Sequence, residues 1–353
     1  MRTSYLIYIV LTASLWLSAC SEHEGGFPEK KAEDISLRAV VDEVESISRS
    51  SNDGAYTGTV PSDQNVLEAA VWFSLDSGSY PNPDKPDAET NLPVHTRIDY
   101  KSGTATFPTG TDDSSKPKYP TNAETPVYCV GFYPNEGWEN PNNEDVIDYT
   151  KATHAITGTQ DLMFAPEISG SLNHKFETQR YRHLLTWLKV CVCAASAEAG
   201  SYWGDLKQIV LKDVATTLTI DLTKGETAED FDNQFNQQDD VNFSNNEDIH
   251  ILNSDGIQLD VMVKEVGSVF CKPQSEYIID IICANGMAEN VLITLEALKD
   301  DDSGKLEYPA GLQYVLTLYF HPFNVVEGVC TLNAWNAQNE DLYPNPNPNV
   351  SQQ

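Results

Sequence analysis

From Leu184 to Cys193 the chain reads LLTWLKVCVC, apolar at nearly every position, with β-branched and aromatic residues and no breaker. Such a run reads as a strand buried on both faces, so two layers must cover it. Upstream, Gly158-Thr159-Gln160-Asp161-Leu162-Met163-Phe164-Ala165 is a turn feeding a short apolar run. A polar Pro/Ser/Gly/Asn loop then leads to a strand pattern that starts at His183, and this loop reads as a boundary between two halves.

The rest of the chain is written in the same style. Ile35, Leu37, Ala39 and Val41 alternate with mostly polar neighbours, the period of a half-buried strand running to about Val44. Val66 to Leu75 is a second candidate, His95 to Tyr100 and Thr104 to Phe107 flank Lys101-Ser102-Gly103 as a hairpin, and Val127 to Tyr133 is a core strand. In the second half the candidates are His183 to Cys193, Leu206 to Leu211, Thr216 to Leu222, Ile257 to Val263, Tyr277 to Cys283, Val291 to Leu298, Gln313 to Phe320 and Val329 to Trp335. Thr223 to Asp248, dense in Gln, Asn and Asp, reads as a surface loop. A chain of 353 residues can hold two domains, each with its own core. Many short strands, with no helices to support parallel crossovers, predict an all-β protein of two tandem β-sandwiches.

The chain's beginning speaks to its destination. Arg2 is a small positive region, Tyr5 to Leu17 an apolar one, and Leu17-Ser18-Ala19-Cys20 a small-residue cleavage site ending in cysteine. This is a signal peptide of lipoprotein type, and its apolar run falls short of the about 20 residues that a bilayer span needs. The expected division is residues 1–19 as signal, 20–34 as tether with Cys20 acylated, 35–171 as an amino-terminal sandwich and 172–353 as a carboxy-terminal one.

With 53 acidic against 22 basic residues the formal charge is -31, which disfavours nucleic acid as a partner. Beyond Cys20 there are Cys129, Cys191, Cys193, Cys271, Cys283 and Cys330. An exported protein can pair such residues, yet most lie in or beside apolar strand patterns, where free cysteine acts as a small hydrophobe, and buried thiols are the favoured reading. Cys191 and Cys193 share a strand face and cannot easily bridge each other. No metal site is expected, since C-x-x-C pairs and matching histidine spacings are missing.

Several short stretches together resemble the fimbrillin-like family, the lipoprotein-derived subunits of type V pili on anaerobic Gram-negative bacteria. They are Gln160-Asp161-Leu162-Met163 near the end of the first half, Arg182-His183 leading into the second, and the tyrosine-rich strand Val127 to Tyr133 that runs into Pro134. Gly311 to Tyr314 at the start of a strand and the near-terminal Trp335 complete the likeness. The resemblance implies transthyretin-like sandwiches and a structural subunit, stalk or tip, rather than an enzyme. It also implies an outer-membrane lipoprotein precursor held by acyl chains, then a surface fimbria whose subunits join by β-strand addition, with a host or bacterial surface ligand as a further partner. Arg49-Ser50 matches the place of the family's proteolytic maturation site. Arg38 lies inside the first strand pattern, where pairing protects it, whereas Arg49 opens a Ser/Gly/Asp-rich stretch that can enter a protease cleft. The tail departs from a good donor strand, because Pro344, Pro346 and Pro348 cannot donate ladder hydrogen bonds.

No motif with a known catalytic mechanism occurs: there is no G-x-S-x-G, H-E-x-x-H or G-x-x-x-x-G-K-[ST]. No catalytic residue and no cofactor is therefore expected. His183, beside Arg182, is the histidine that merits weighing, and it reads as a strand-edge residue. Asp300-Asp301-Asp302 before Ser303-Gly304 reads as a solvated hairpin turn rather than a calcium loop. Trp72, Trp187 and Trp335 read as core, while Trp138 and Trp203, in Asn/Gly/Ser surroundings, read as exposed. Exposed aromatic loops on a sandwich would suit the alternative function, a lipid-anchored surface protein that binds glycans.

Overall fold

Alternating apolar positions, broken by Gly, Pro, Asn and Asp clusters, give ten strands among the described residues of the first half. They are β1 (Arg38–Val41), β2 (Leu67–Ser74), β3 (His95–Lys101), β4 (Thr104–Thr106), β5 (Val127–Tyr133), the short pair β6 (Asn142–Asn143) and β7 (Val146–Ile147), β8 (Lys151–Ala155), β9 (Met163–Gly170) and β10 (Thr178–His183). The second half has β11 (Thr186–Ala194), one helix α1 (Ala197–Trp203), β12 (Leu206–Asp221), β13 (Val241–Ile257), β14 (Lys264–Cys271), β15 (Glu276–Cys283), β16 (Met287–Thr294), the short pair β17 (Leu298–Lys299) and β18 (Leu306–Glu307), β19 (Gln313–His321) and β20 (Val325–Asn333). These come from a computed structural model of the chain, which describes residues 33–41, 67–80, 95–101, 103–106, 116–143, 146–223, 241–299, 306–307, 310–323 and 325–333. The protein is all-β, as its sequence predicts.

In the first half the order β1-β10-β9-β5-β2-β3-β4 closes on itself, with β1 bridging β10 and β4. The closed sheet is lined by Leu37, Ala69, Val71, Phe73, Ile98, Tyr100, Val127, Cys129, Ala165 and Tyr181. Gly131 of β5 faces this interior, where a Cβ would stand 2.3 Å from the Tyr181 hydroxyl. The expected hairpin is present: β3 and β4 pair across a turn in which Gly103 has φ +73. Only glycine takes that conformation readily.

The second half stacks two sheets, β14-β11-β19-β20 and β13-β12-β15-β16. Between them lie Leu188, Val190, Val192, Trp203, Ile209, Leu211, Ile279, Ile281, Leu316 and Phe320. β11 is central, antiparallel to β14 and parallel to β19. Its far part is buried on both faces, since Val190, Val192 and Ala194 fill the core while Cys191 and Cys193, pointing the other way, are also buried.

Three features depart from the expected pattern. The run starting at His183 is two strands, because Leu184 and Leu185 leave the ladder: Leu184 N donates to Leu162 O and Leu185 O accepts from Gly311 N. Both leucines are buried in a third core between the halves, so the chain bends where one strand would have turned them to opposite faces. β10 is hydrogen-bonded to β1 and β9, which carries the first sheet past the expected division at 171/172 as far as His183. The polar segment Val241 to Asp248 is strand rather than loop, the start of β13, and the stretch 258–263 is the loop that follows it. Among the described residues β13 pairs only with β12, so it is an edge strand with both faces largely solvated, and its Asn, Ser and Asp suit such a position.

Candidate functional site

The feature of the first half with most bearing on function is how β1 is held. Its neighbours are β10 on one side, in parallel register from Arg38↔Thr178 to Val41↔Tyr181, and β4 on the other. Ala39 N donates to Gly103 O at 3.0 Å and Ala105 N to Leu37 O at 3.0 Å. The lead-in is also tied, Ile35 N to Pro117 O at 2.8 Å and Tyr119 N to Glu33 O at 3.0 Å. Ile35, Leu37 and Ala39 are buried, as the alternation predicts. β1 is thus the stave that closes the barrel, and without it β4 and β10 would present unpaired edges beside an apolar slot. Arg38 sits within the ladder, opposite Thr178 of β10 on one side and Thr104 of β4 on the other. Cys20, Arg49 and Ser50 lie outside the described residues.

Next to β1 the barrel interior is polar at one point. Gln179 is fully buried; its Oε1 accepts from the Tyr100 hydroxyl and, at 3.4 Å, from that of Tyr181, while its Nε2 donates to Cys129 Sγ at 3.5 Å. Burial pushes both phenols well above the ordinary tyrosine range. A second carboxylate-centred cluster ties 77–80 to β9: Glu167 accepts from Ser77 Oγ at 2.6 Å, Gly78 N at 2.7 Å and Tyr80 Oη at 2.6 Å.

His183 is the last residue of β10, and its Nδ1 lies 2.6 Å from Asp161 Oδ2. The two resemblance-bearing motifs therefore meet in space, through a pair that joins the turn just ahead of β9 to the end of β10. The pair is largely buried, with 12% of each side chain exposed, and it anchors the point where the chain leaves the first barrel. Among the described residues no group of three or more His, Cys, Asp or Glu is placed to hold a metal ion. The Asp300 to Asp302 run lies outside the described residues; the paired β17 and β18 flank it.

No family model matches the chain, and no curated protein matches it significantly. It is similar in outline to the crystal structure of a "putative cell adhesion protein" from Bacteroides ovatus, at 12% identity over 88% of this chain and 100% of the other, with a TM-score of 0.49. A "putative cell adhesion protein" from Bacteroides uniformis is similar at 13% identity over 86% and 99%, with a TM-score of 0.47. A "putative adhesin" from Bacteroides thetaiotaomicron is similar at 11% identity over 86% and 96%, with a TM-score of 0.45. No helix among the described residues is long and apolar enough to cross a membrane.

The aromatic residues read as exposed are not exposed. Trp138 packs 4.8 Å from Phe132 and 4.9 Å from His154 between the halves. Trp203 is fully buried, its Nε1 donating to His321 O at 2.7 Å and its ring edge-on to Phe320 at 5.5 Å. Its polar surroundings are those of a seven-residue helix, capped by Ser196, whose inner side is Ala199 and Trp203. Among the described residues, the large rings most open to solvent are its neighbour Tyr202 and, in the turn after β19, Phe323, with centroids 6.1 Å apart. Helical spacing between Ala199 and Trp203 was the available signal for α1. Nothing in the sequence pairs Tyr202 with Phe323.

Proposed function

We propose that this chain is a structural subunit of a cell-surface fimbria, fimbrillin-like and of type V, that assembles by strand exchange and has adhesive capacity. The observation that supports it is the placement of β1. A short amino-terminal strand completes a closed sheet, its lead-in buries Ile35 and Leu37, and it is followed by chain that carries Arg49. Removing it would leave an apolar slot edged by the free backbone groups of β4 and β10, which is a template for a strand from another subunit. In this reading the precursor is an outer-membrane lipoprotein acylated at Cys20, and an arginine-specific protease cuts between Arg49 and Ser50.

The test digests the purified precursor with limiting arginine-specific protease, sequences the new amino terminus and follows oligomer size. The expected outcome is a terminus at Ser50 and growth of polymer. A terminus at Ala39, or a cut at Ser50 with no polymer, would overturn the switch. For the anchor, Cys20→Ala should abolish fatty-acid labelling and membrane retention, because stable attachment needs the acyl chains themselves. For the donor, the three tail prolines argue that deleting Tyr343 to Gln353 leaves assembly nearly intact. Loss of polymer in that truncation would make the tail the donor.

A further inference from the structure

Exposed apolar side chains gather at one end of the second sandwich. β11 leaves the junction after Leu185 and runs parallel to β19, so Ala194 and His321 finish together at the far end. α1, the 258–263 loop, the β15–β16 turn and the turn after β19 all meet there. Ala194 N donates to Asp260 O at 2.7 Å, Ala195 N to Phe320 O at 2.9 Å, and Asn285 Nδ2 reaches Ser201 O and Tyr202 O at 3.4 and 3.3 Å. Six of the exposed large hydrophobic residues sit on this apex: Tyr202, Val261, Met262, Met287, Phe323 and Val325. Only β11 separates the 258–263 loop at Asp260 from the end of β19 at His321, about 10 Å at ordinary strand spacing.

Phe323 is the most informative of them. It is 81% exposed and has φ +68, a conformation that strains a bulky side chain. An aromatic ring held outward against both solvent and backbone preference points to use of the ring itself. Beside it stands Tyr202, the two rings inclined by 54°. The charges carried by the elements that meet here are mostly carboxylates, Glu198, Asp205, Asp255, Asp260 and Glu327 against Lys207 and Lys264, with His321 3.5 Å from Glu327. Such a rim repels polyanions and anionic bilayers. It accepts hydrogen bonds from hydroxyl groups. A sugar offers both halves of the match: apolar C–H faces for the electron-rich ring faces, and hydroxyl donors around its perimeter for the carboxylates.

We propose that this apex binds an uncharged glycan, with Tyr202 and Phe323 as the stacking platform. The inference deepens the adhesive part of the function proposed above and rests on it. The test applies the purified full chain to an array of neutral hexose and N-acetylhexosamine oligosaccharides alongside sialylated, sulfated and uronic ones. Retention on neutral glycans is expected, with Phe323→Ala and Tyr202→Ala each weakening it by about tenfold or more. Phe323→Gly separates binding from folding: glycine accepts the positive φ, so the melting temperature should hold or rise while retention is lost. Ile278→Ala with Leu292→Ala, an exposed apolar pair on the outer face of β15 and β16, should leave retention unchanged. Retention of acidic glycans only, no retention at all, or full retention by Phe323→Ala would overturn the site. So would self-association of the wild type that Phe323→Ala abolishes, since the apex would then be a contact between copies. Protease-triggered polymer growth is read separately: glycan binding without polymer sinks the fimbrial reading alone, and polymer without glycan binding sinks the apex alone.

Discussion

At the scale of single residues, the interior of the first barrel turns on Gln179. One amide satisfies two buried phenols and touches a thiol, so its loss leaves hydroxyl groups without partners where water does not reach. Gln179→Ala should lower stability by about 2–4 kcal/mol, since each orphaned buried polar group costs about 1–3 kcal/mol. Tyr181→Phe, which removes the longer of the two tyrosine bonds, should cost less. Urea titration of the two variants checks the order, and equal losses would argue against Gln179 as the hub. The thiols make a second case. Cys129, Cys191, Cys193, Cys271 and Cys283 are free and buried. Desolvation pushes Cys191 from 9.0 up to about 11, and Cys271 and Cys283, with half-buried Cys330, to about 12. The folded chain therefore keeps these protons above pH 9, where the unfolded chain releases them. Their contribution to stability is full below about pH 9 and declines through pH 11–12, because the unfolded state binds fewer protons there. Chemical denaturation midpoints should fall steeply over that window. Iodoacetamide at pH 8 should label the native protein slowly and the urea-unfolded protein at once; fast native labelling of Cys271 would contradict its burial.

Among elements, β1 is the one whose removal has a defined consequence. Leu37→Ala keeps every backbone bond of β1 and shrinks the buried side chain immediately ahead of it, which in a closed core costs about 2–5 kcal/mol. If β1 is a separable stave, hydrogen exchange should quicken first at Ala39 and Ala105, whose amides form the β1–β4 bonds, and only later in β2 and β5. Uniform acceleration across the barrel would mean that β1 does not open by itself. β1 was legible in the sequence because its inward residues alternate, and β2, β3, β5, β15 and β19 were legible for the same reason or as continuous apolar runs. The elements that escaped are those whose burial the sequence does not record. β13 is a solvated edge and reads as a loop. β14 carries Gly267 and Ser268 in a segment paired along β11, and its alternation is weak. β9 contains Pro166, ordinarily a mark against a strand, tolerated here because the register with β5 shifts between Cys129 and Gly131. The parallel pairs β1–β10 and β11–β19 join segments far apart in sequence, and no local pattern announces them. The apex was missed for a related reason: Tyr202 and Phe323 are brought together by the ends of β11 and β19.

On the scale of the whole molecule, the two halves are not beads on a linker. β12 pairs with β15 from Leu206 to Lys212, and its remaining length pairs on the same edge with β8, a strand from the first half, from Thr217 to Asp221. The outer face of the barrel contributes Trp72, Phe132 and Phe164, with Phe132 4.5 Å from Trp72 and 5.4 Å from Phe164. Against these pack Ile156, Leu184, Leu185, Leu218, Ile220 and Leu222, in a core that belongs to both halves. Interfaces between domains of one chain are usually more polar than this, and relative motion is the default when they are. Here a shared sheet and a shared aromatic core couple the halves, so calorimetry should give one cooperative transition rather than two. Trp72→Ala is the discriminating variant, since it removes a large side chain on the barrel's outer face without touching the core of the second sandwich. It should cost about 3–5 kcal/mol, and because the junction holds both halves the loss should appear equally in probes placed on β5 and on β19. Coupled in this way, the β1 slot of the first half and the Tyr202–Phe323 apex of the second are held in fixed relation. If Trp72→Ala instead splits the melt into two steps, with the β19 probe unmoved, the junction is a contact between independent domains and that fixed relation is lost.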